Sequence, residues 1–329
     1  MWSRWFPIGA AALASALMYL STVLGSFGAI LLAFLSPLPL FTVSLARGWM
    51  AGLTAVAGAG AIVLIASNSL AALFFVIISG LPAVLLTRKA LLARPLNDDP
   101  ENTELEWYPA GMLVMWLTAL PAVGLLTAVL VAGLQGPGLE TLVRIEVEGK
   151  FNALGTASEG VFALPQEQMD ALINLTVAVL PGMAGLQWSM LILVNGLLAQ
   201  GVLARFDANL RPSPKMQDIR LPVWAPFPLA IAALAAMLAD GALGYLGWNA
   251  VPILCLPFLL SGLGLVHALA GAPNGKRWLL HATYTLMILS FVPYLASFLQ
   301  LVWILLILAG LVDHWADLKG RIARNSNST

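Results

Sequence analysis

Charge is scarce in this chain. Aspartate, glutamate, lysine and arginine together make up 10% of its 329 residues, the sixteen acidic and sixteen basic side chains cancel, and there are three histidines. A chain without net charge has no global field to recruit nucleic acid. The single cysteine, Cys255, excludes an intramolecular disulfide. It sits in an apolar segment, where a thiol serves as a small buried hydrophobe. No phosphate-binding glycine loop, serine elbow, HExxH pair or CxxC pair occurs. That absence argues against an ATPase or a metalloprotease and leaves only chemistry built from dispersed residues, so the expectation is a non-enzyme with no cofactor and no metal.

What the chain has instead is apolar length. Sixty per cent of it is hydrophobic and its mean hydropathy is +0.89, more apolar surface than a soluble fold can hide. Its principal partner is therefore the lipid bilayer. By the criterion of about 20 apolar residues per crossing, the runs predict an all-α polytopic membrane protein of about ten spans. Their centres fall near Leu17, Leu35, Val56, Ile78, Leu120, Met190, Leu234, Leu260, Met287 and Ile307. The run after Met1-Trp2-Ser3-Arg4-Trp5 lacks a small-residue cleavage site and reads as a retained first span. All 329 residues read as one membrane domain. Arg211-Pro212-Ser213-Pro214-Lys215, an extended linker, marks halves of 1–204 and 221–329.

Basic residues fall in alternate connections: Arg4, Arg47, Arg88 to Arg94, Arg205 to Arg220, Lys276 and Arg277, and Lys319 to Arg324. The turns near Gly25, Asn68, Gly247 and Tyr294 hold none. Lysine and arginine accumulate on the cytoplasmic side, so both termini are expected there. The connection 135–170 then lies outside, with a negative net charge despite Arg144 and Lys150. Within it, Val143, Ile145 and Val147 alternate with charged residues, which suits a short strand or an interfacial helix. Asn97 to Glu106 reads as a solvated acidic turn.

Proline supplies the sharpest local signal. Pro37 and Pro39 in Leu35-Ser36-Pro37-Leu38-Pro39-Leu40 break a run from about Phe27 to Ala46, because each removes a donor and clashes with the preceding turn. Interrupted main chain in hydrocarbon must be sheltered by protein or by water. The break is therefore a packed kink or part of a pocket. Pro181-Gly182 offers a second break, Asp240 is the one formal charge well inside an expected span, and Asn195 is a polar group in the sixth. Pro37, Pro39, Pro181, Asn195 and Asp240 are thus the candidate ligand-binding residues. His267 and His281 lack a third metal ligand. Ala10 and Ala14, or Ala12 and Ala16, have the small-xxx-small spacing that lets helices approach, as do Gly48 and Gly52. Asp313 and Asp317 share a face at the last helix end, beside Trp315 and basic residues suited to interfacial anchoring or partner docking.

Leu38-Pro39-Leu40, Gly262-Leu263-Gly264-Leu265-Val266-His267 and Gly310-Leu311-Val312-Asp313-His314-Trp315-Ala316-Asp317-Leu318-Lys319 together resemble the YybS-like bacterial inner-membrane proteins. That family is distantly similar to the substrate-binding subunits of energy-coupling-factor vitamin transporters and to rod-shape-determining membrane scaffolds. The resemblance implies a bacterial cytoplasmic membrane location and a small-molecule-binding or transport component. It also implies contact with an energising partner through the first helix, at Ala10 and Ala14. The alternative is a non-catalytic scaffold docking cell-envelope proteins through that helix or through the Asp313 to Arg321 end.

Overall fold

A computed structural model describes residues 2–96, 104–157, 165–272 and 275–327. Residues 97–103 of the expected acidic turn, and 158–164 of the expected outer connection, lie outside the described residues. The protein is all-α and polytopic. Among the described residues, eight helical stretches are long and apolar enough to cross a membrane. The runs about Leu234 and Met287 instead form helices of 13 and 12 residues. At about 1.5 Å per residue these fall short of the ~30 Å hydrocarbon layer. Each is cut short by local chemistry: the first by Ala239 and Asp240 in extended conformation, the second by the turn before Pro293. The exception to helix is a hairpin of three-residue strands, β1 (Ala93–Pro95) and β2 (Leu105–Trp107), antiparallel with Ala93 opposite Trp107.

The chain divides into two compact units, Met1–Leu117 with Ser189–Arg220, and Thr118–Trp188 with Leu221–Thr329. The boundary after residue 220 is near the expected linker, but 118–188 groups with the C-terminal part and not with 1–117. The physical reason is helix length: α7 (Ala110–Gln135) and α9 (Gln166–Arg205) are long enough to begin in one unit and finish in the other.

The first unit contains α1 (Trp2–Leu20), α2 (Phe27–Phe34), α3 (Pro37–Arg47), α4 (Trp49–Ala66), α5 (Ser69–Phe75) and α6 (Leu81–Ala90). Gly48, at φ +91°, turns α3 into α4, and Gly52 lies so close to Ser44 that a Cβ there would collide with the hydroxyl. Ala12 and Ala16 are buried, Ala12 against Gly58 of α4, so this face of the first helix is used inside the unit. Ala10 is exposed and Ala14 half-buried. Residues 76–80 form one π-helical turn ahead of Pro82. A widened turn is a common response to a missing backbone donor and kinks the span.

In the second unit α11 (Gly241–Gly271) is the most enclosed of the spans. Around it lie α10 (Pro226–Leu238), α12 (Trp278–Leu289), α13 (Pro293–Ala316) and α14 (Leu318–Asn327). Gly262 abuts the Leu306 carbonyl and Gly310 abuts the Phe258 carbonyl, a reciprocal contact that no side chain at either glycine could enter. Lipid tails are as apolar as leucine, so such association rests on close van der Waals contact through small residues. Next to this crossing, the Lys319 ammonium sits 3.1 Å from Asp313 Oδ2 and donates to Ser261 Oγ at 3.0 Å, with both charged side chains 5% exposed. Asp313 Oδ1 also accepts from the Lys319 backbone N–H. Asp313, expected at a docking surface, is therefore engaged inside its own unit, because the left-handed turn at Asp317 (φ +46°) folds α14 back. Asp317 is half-buried and pairs with Arg324 at 3.4 Å.

Of the short strand and the helix that both suited Val143 to Val147, the structure has helix, the 20-residue α8 (Gly138–Ala157). Val143 and Val147, four residues apart, pack with Ile173, Val177, Phe151 and Met169, while Ile145 points outward. Ion pairs at the same spacing, Glu140–Arg144, Arg144–Glu148 and Glu146–Lys150, run along the helix, and Arg144 also donates to Asn174 Oδ1 of α9 at 2.8 Å. At about 60 Å, α9 is twice the hydrocarbon thickness. Its first turns pack against the polar α8.

Removing the ammonium with Lys319→Met would strand a buried carboxylate and should destabilise the protein by about 3–5 kcal/mol. Asp313→Leu combined with it should recover most of that loss, as measured by unfolding in mixed micelles.

Candidate functional site

One break between helices and the open rungs around a proline inside another are closed by side chains from elsewhere in the same unit; the break expected at Pro181-Gly182 is not one, because α9 runs through it as a single helix. In the first unit the turn at Leu35 and Ser36 separates α2 from α3, and Leu38 N–H bonds Leu35 O, leaving the Phe34 carbonyl without its usual helical donor. Asn195 Nδ2, from α9, donates to that carbonyl at 3.0 Å and to Leu191 O at 2.8 Å. Ser15 Oγ donates to Ser36 O, and the Ser36 hydroxyl meets Ser79 Oγ at 3.2 Å. Pro37 is buried and Pro39 partly so.

In the second unit Pro181 lacks an N–H and so frees the Val177 carbonyl four residues earlier. Tyr245 Oη donates to it at 2.8 Å. Asn249 then inserts its carboxamide into the next rung, accepting from Gly182 N–H at 2.8 Å and donating to Ala178 O at 3.1 Å. Gly182 admits this approach because a Cβ would lie 2.5 Å from the Asn249 carbonyl. Asp240 lies in the turn joining α10 to α11, not within a helix, and is exposed just before the helix N-terminus.

A cavity of about 140 Å³ in the first unit lies apart from all five sequence-derived ligand candidates. Phe41 and Leu45 of α3, Leu86, Thr87 and Ala90 of α6, Leu113, Val114 and Leu117 of α7, and Ile192, Leu193, Gly196 and Leu197 of α9 form its walls. Gly196 leaves room beside the Phe41 ring, whose atoms would stand 3.7–3.9 Å from a Cβ. The walls are apolar except at Thr87, Gln200 and Arg211, of which Gln200 bonds the Arg211 carbonyl and Arg211 bonds the carbonyl of Ala90, one turn beyond Thr87.

Arg211 belongs to the segment expected to be a solvated linker. It is only 7% exposed. Its guanidinium donates at 2.9 Å to Ala90 O, the last residue of α6, and at 2.9 Å to Tyr108 O, just before α7. Gln200 Nε2 fastens the strap by donating to Arg211 O (2.8 Å) and Ser213 Oγ (3.2 Å). Arg211 therefore draws three helix ends together, satisfying a terminal carbonyl that α6 cannot satisfy itself. Burial pushes its pKa below the usual guanidinium range, yet the group stays protonated. Beside it, Lys89 lies 4.6 Å above the Trp116 ring and Arg88 5.0 Å above that of Trp49.

The family model for predicted membrane proteins, DUF2232, matches residues 12–313. The chain belongs to this family. Searches among curated proteins and among solved structures each found no significant match. The matched region takes in the Pro37–Pro39 break, Pro181, the cavity walls and the Gly262–Gly310 crossing.

Sequence reasoning passed over Arg211, Thr87, Tyr245 and Asn249. Arg211 hid because prolines on its C-terminal side suggest exposed extended chain. Asn249 had a usable signal: as a polar residue in an apolar run it needs a partner, and Pro181 creates one. Asn249→Leu should cost about 1–3 kcal/mol by leaving Gly182 N–H and Ala178 O unpaired in a low-dielectric setting. Asn195→Leu should cost a similar amount through Phe34 O, and denaturant unfolding of each variant in lipid nanodiscs measures both.

Proposed function

We propose that the protein is a membrane-embedded binding component for a small apolar or amphipathic molecule, serving transport and not catalysis. The observation that carries this reading is the cavity between α3, α6, α7 and α9. It is apolar along its length and polar at one end, the usual composition of a small-molecule site. An apolar cavity of about 150 Å³ is known to hold a benzene-sized guest, so the volume is enough for a ring or part of a chain. The distant similarity of YybS-like proteins to transporter substrate-binding subunits supports the same role. Exposed Ala10 and half-buried Ala14 leave that face of the first helix open for an energising partner. The basic connections at Arg47, Arg88 to Arg94 and Arg205 to Arg220, which alternate across the first six spans, together with an even number of long spans among the described residues, support a bacterial inner-membrane setting with both termini in the cytoplasm.

Purified protein in phosphatidylcholine nanodiscs should bind N-phenyl-1-naphthylamine, seen as enhanced fluorescence. Gly196→Trp, which fills the cavity, should weaken that binding by about tenfold or more, if the loss of one well-buried apolar group is a guide. Leu130→Trp, on an exposed apolar surface of α7, should leave it unchanged. Equal binding by all three proteins would remove the cavity as the site.

A further inference from the structure

The polar end of the cavity is chemically one-sided. Arg211 has five N–H donors, of which two are committed to the carbonyls of Ala90 and Tyr108. No carboxylate pairs with it among the described residues, and its one aromatic neighbour is the Trp107 ring at 5.9 Å. An unpaired cation held out of water is expensive. Two carbonyl bonds return part of that cost, and they bring no opposite charge.

A second observation is independent of the arginine. Thr87, 1% exposed and in the same cavity wall, has an Oγ1 with no hydrogen-bond partner. Buried hydroxyls are ordinarily satisfied, and one left open calls for a ligand or an ordered water. A cation lacking a counter-charge and a threonine whose buried hydroxyl has no partner therefore both belong to the walls of one apolar chamber. The adjoining residues of α6 add Lys89 and Arg88, both held over aromatic rings and not by acids.

Resting on the binding reading above, we infer that the ligand is a single-chain anionic amphiphile. A carboxylate or phosphate monoester head sits beside Arg211 and Thr87, and one hydrocarbon chain runs between α3, α6, α7 and α9. The small volume selects one chain, and the uncompensated guanidinium selects a negative head over a neutral or cationic one. Thr87 donates to the anion and so acquires the partner it lacks.

The test uses full-length protein in phosphatidylcholine nanodiscs and four probes: laurate, dodecyl phosphate, dodecanol and inorganic phosphate. Displacement of N-phenyl-1-naphthylamine, with native mass spectrometry as a second readout, gives each affinity. Laurate or dodecyl phosphate should bind about tenfold or more tighter than dodecanol, the advantage expected of one charge-assisted hydrogen-bond pair. Inorganic phosphate should bind far more weakly than either. Which of the two anionic heads binds better identifies the source as a fatty acid or a phosphate ester. Arg211→Gln should abolish the preference while dodecanol still binds, and Arg211→Lys should retain part of it. Thr87→Val, nearly isosteric, should reduce the affinity for the anionic probes alone.

Dodecanol binding as tightly as laurate and dodecyl phosphate, or inorganic phosphate binding as tightly as the chain-bearing anions, would overturn the inference while leaving a binding cavity. If no chain-bearing probe binds and Gly196→Trp changes nothing, the binding reading itself fails. The comparison among probes on the wild-type chain stands whether or not Arg211→Gln folds.

Discussion

In hydrocarbon, a main-chain carbonyl or amide that loses its helical partner has no water to turn to, and this constraint governs both units. Pro37 and Pro39 interrupt one span and Pro181 opens rungs inside another, yet in each case the loose ends are met by side chains of the same unit. Asn195 and Ser15 serve the first, and Asn249 and Tyr245 serve the second. Asn249 suits the task because its carboxamide carries the same donor and acceptor as the peptide group it replaces, whereas Asn195 uses its donor alone. Proline can thus shape these helices without leaving buried backbone unpaired.

The same medium explains why glycine matters at the crossing of α11 with α13. No hydrophobic gain drives helices together in lipid, so stability depends on how closely backbones approach. Gly262 and Gly310 each lie against the partner helix's carbonyls, and beside them Asp313, Lys319 and Ser261 form a buried polar cluster. A lysine serves this cluster well, since its ammonium is a compact charge that meets one carboxylate oxygen and one hydroxyl without requiring a planar partner.

Arg211 follows a different logic. Where Lys319 is neutralised by Asp313, Arg211 is held by carbonyls alone, at the wall of an apolar chamber. The charge serves two ends at once. It fixes the strap that closes the first unit over α6 and α7, and it leaves a positive site facing an otherwise hydrophobic space. A structural role by itself would be met as well by a neutral donor, at lower desolvation cost.

Composition and hydropathy alone determined the class of this protein: an all-α chain embedded in a membrane, with main chain freed at its prolines that had to be sheltered. These are properties of single segments in a known solvent, so local sequence carries them. Sequence was less decisive where two periodicities overlapped. Val143, Ile145 and Val147 suited a strand or a helix, and the four-residue spacing of Val143 with Val147 and of Glu140, Arg144 and Glu148 is the one that α8 uses. Only tertiary structure decided that Asp240 ends in a turn, that Asp313 is spent on Lys319, and that Arg211 leaves the surface for the wall of a cavity. Those outcomes depend on which distant carbonyls and charges meet once the helices have packed, and no spacing along the chain encodes the bond from Arg211 to the Ala90 carbonyl apart from the fold that brings them together.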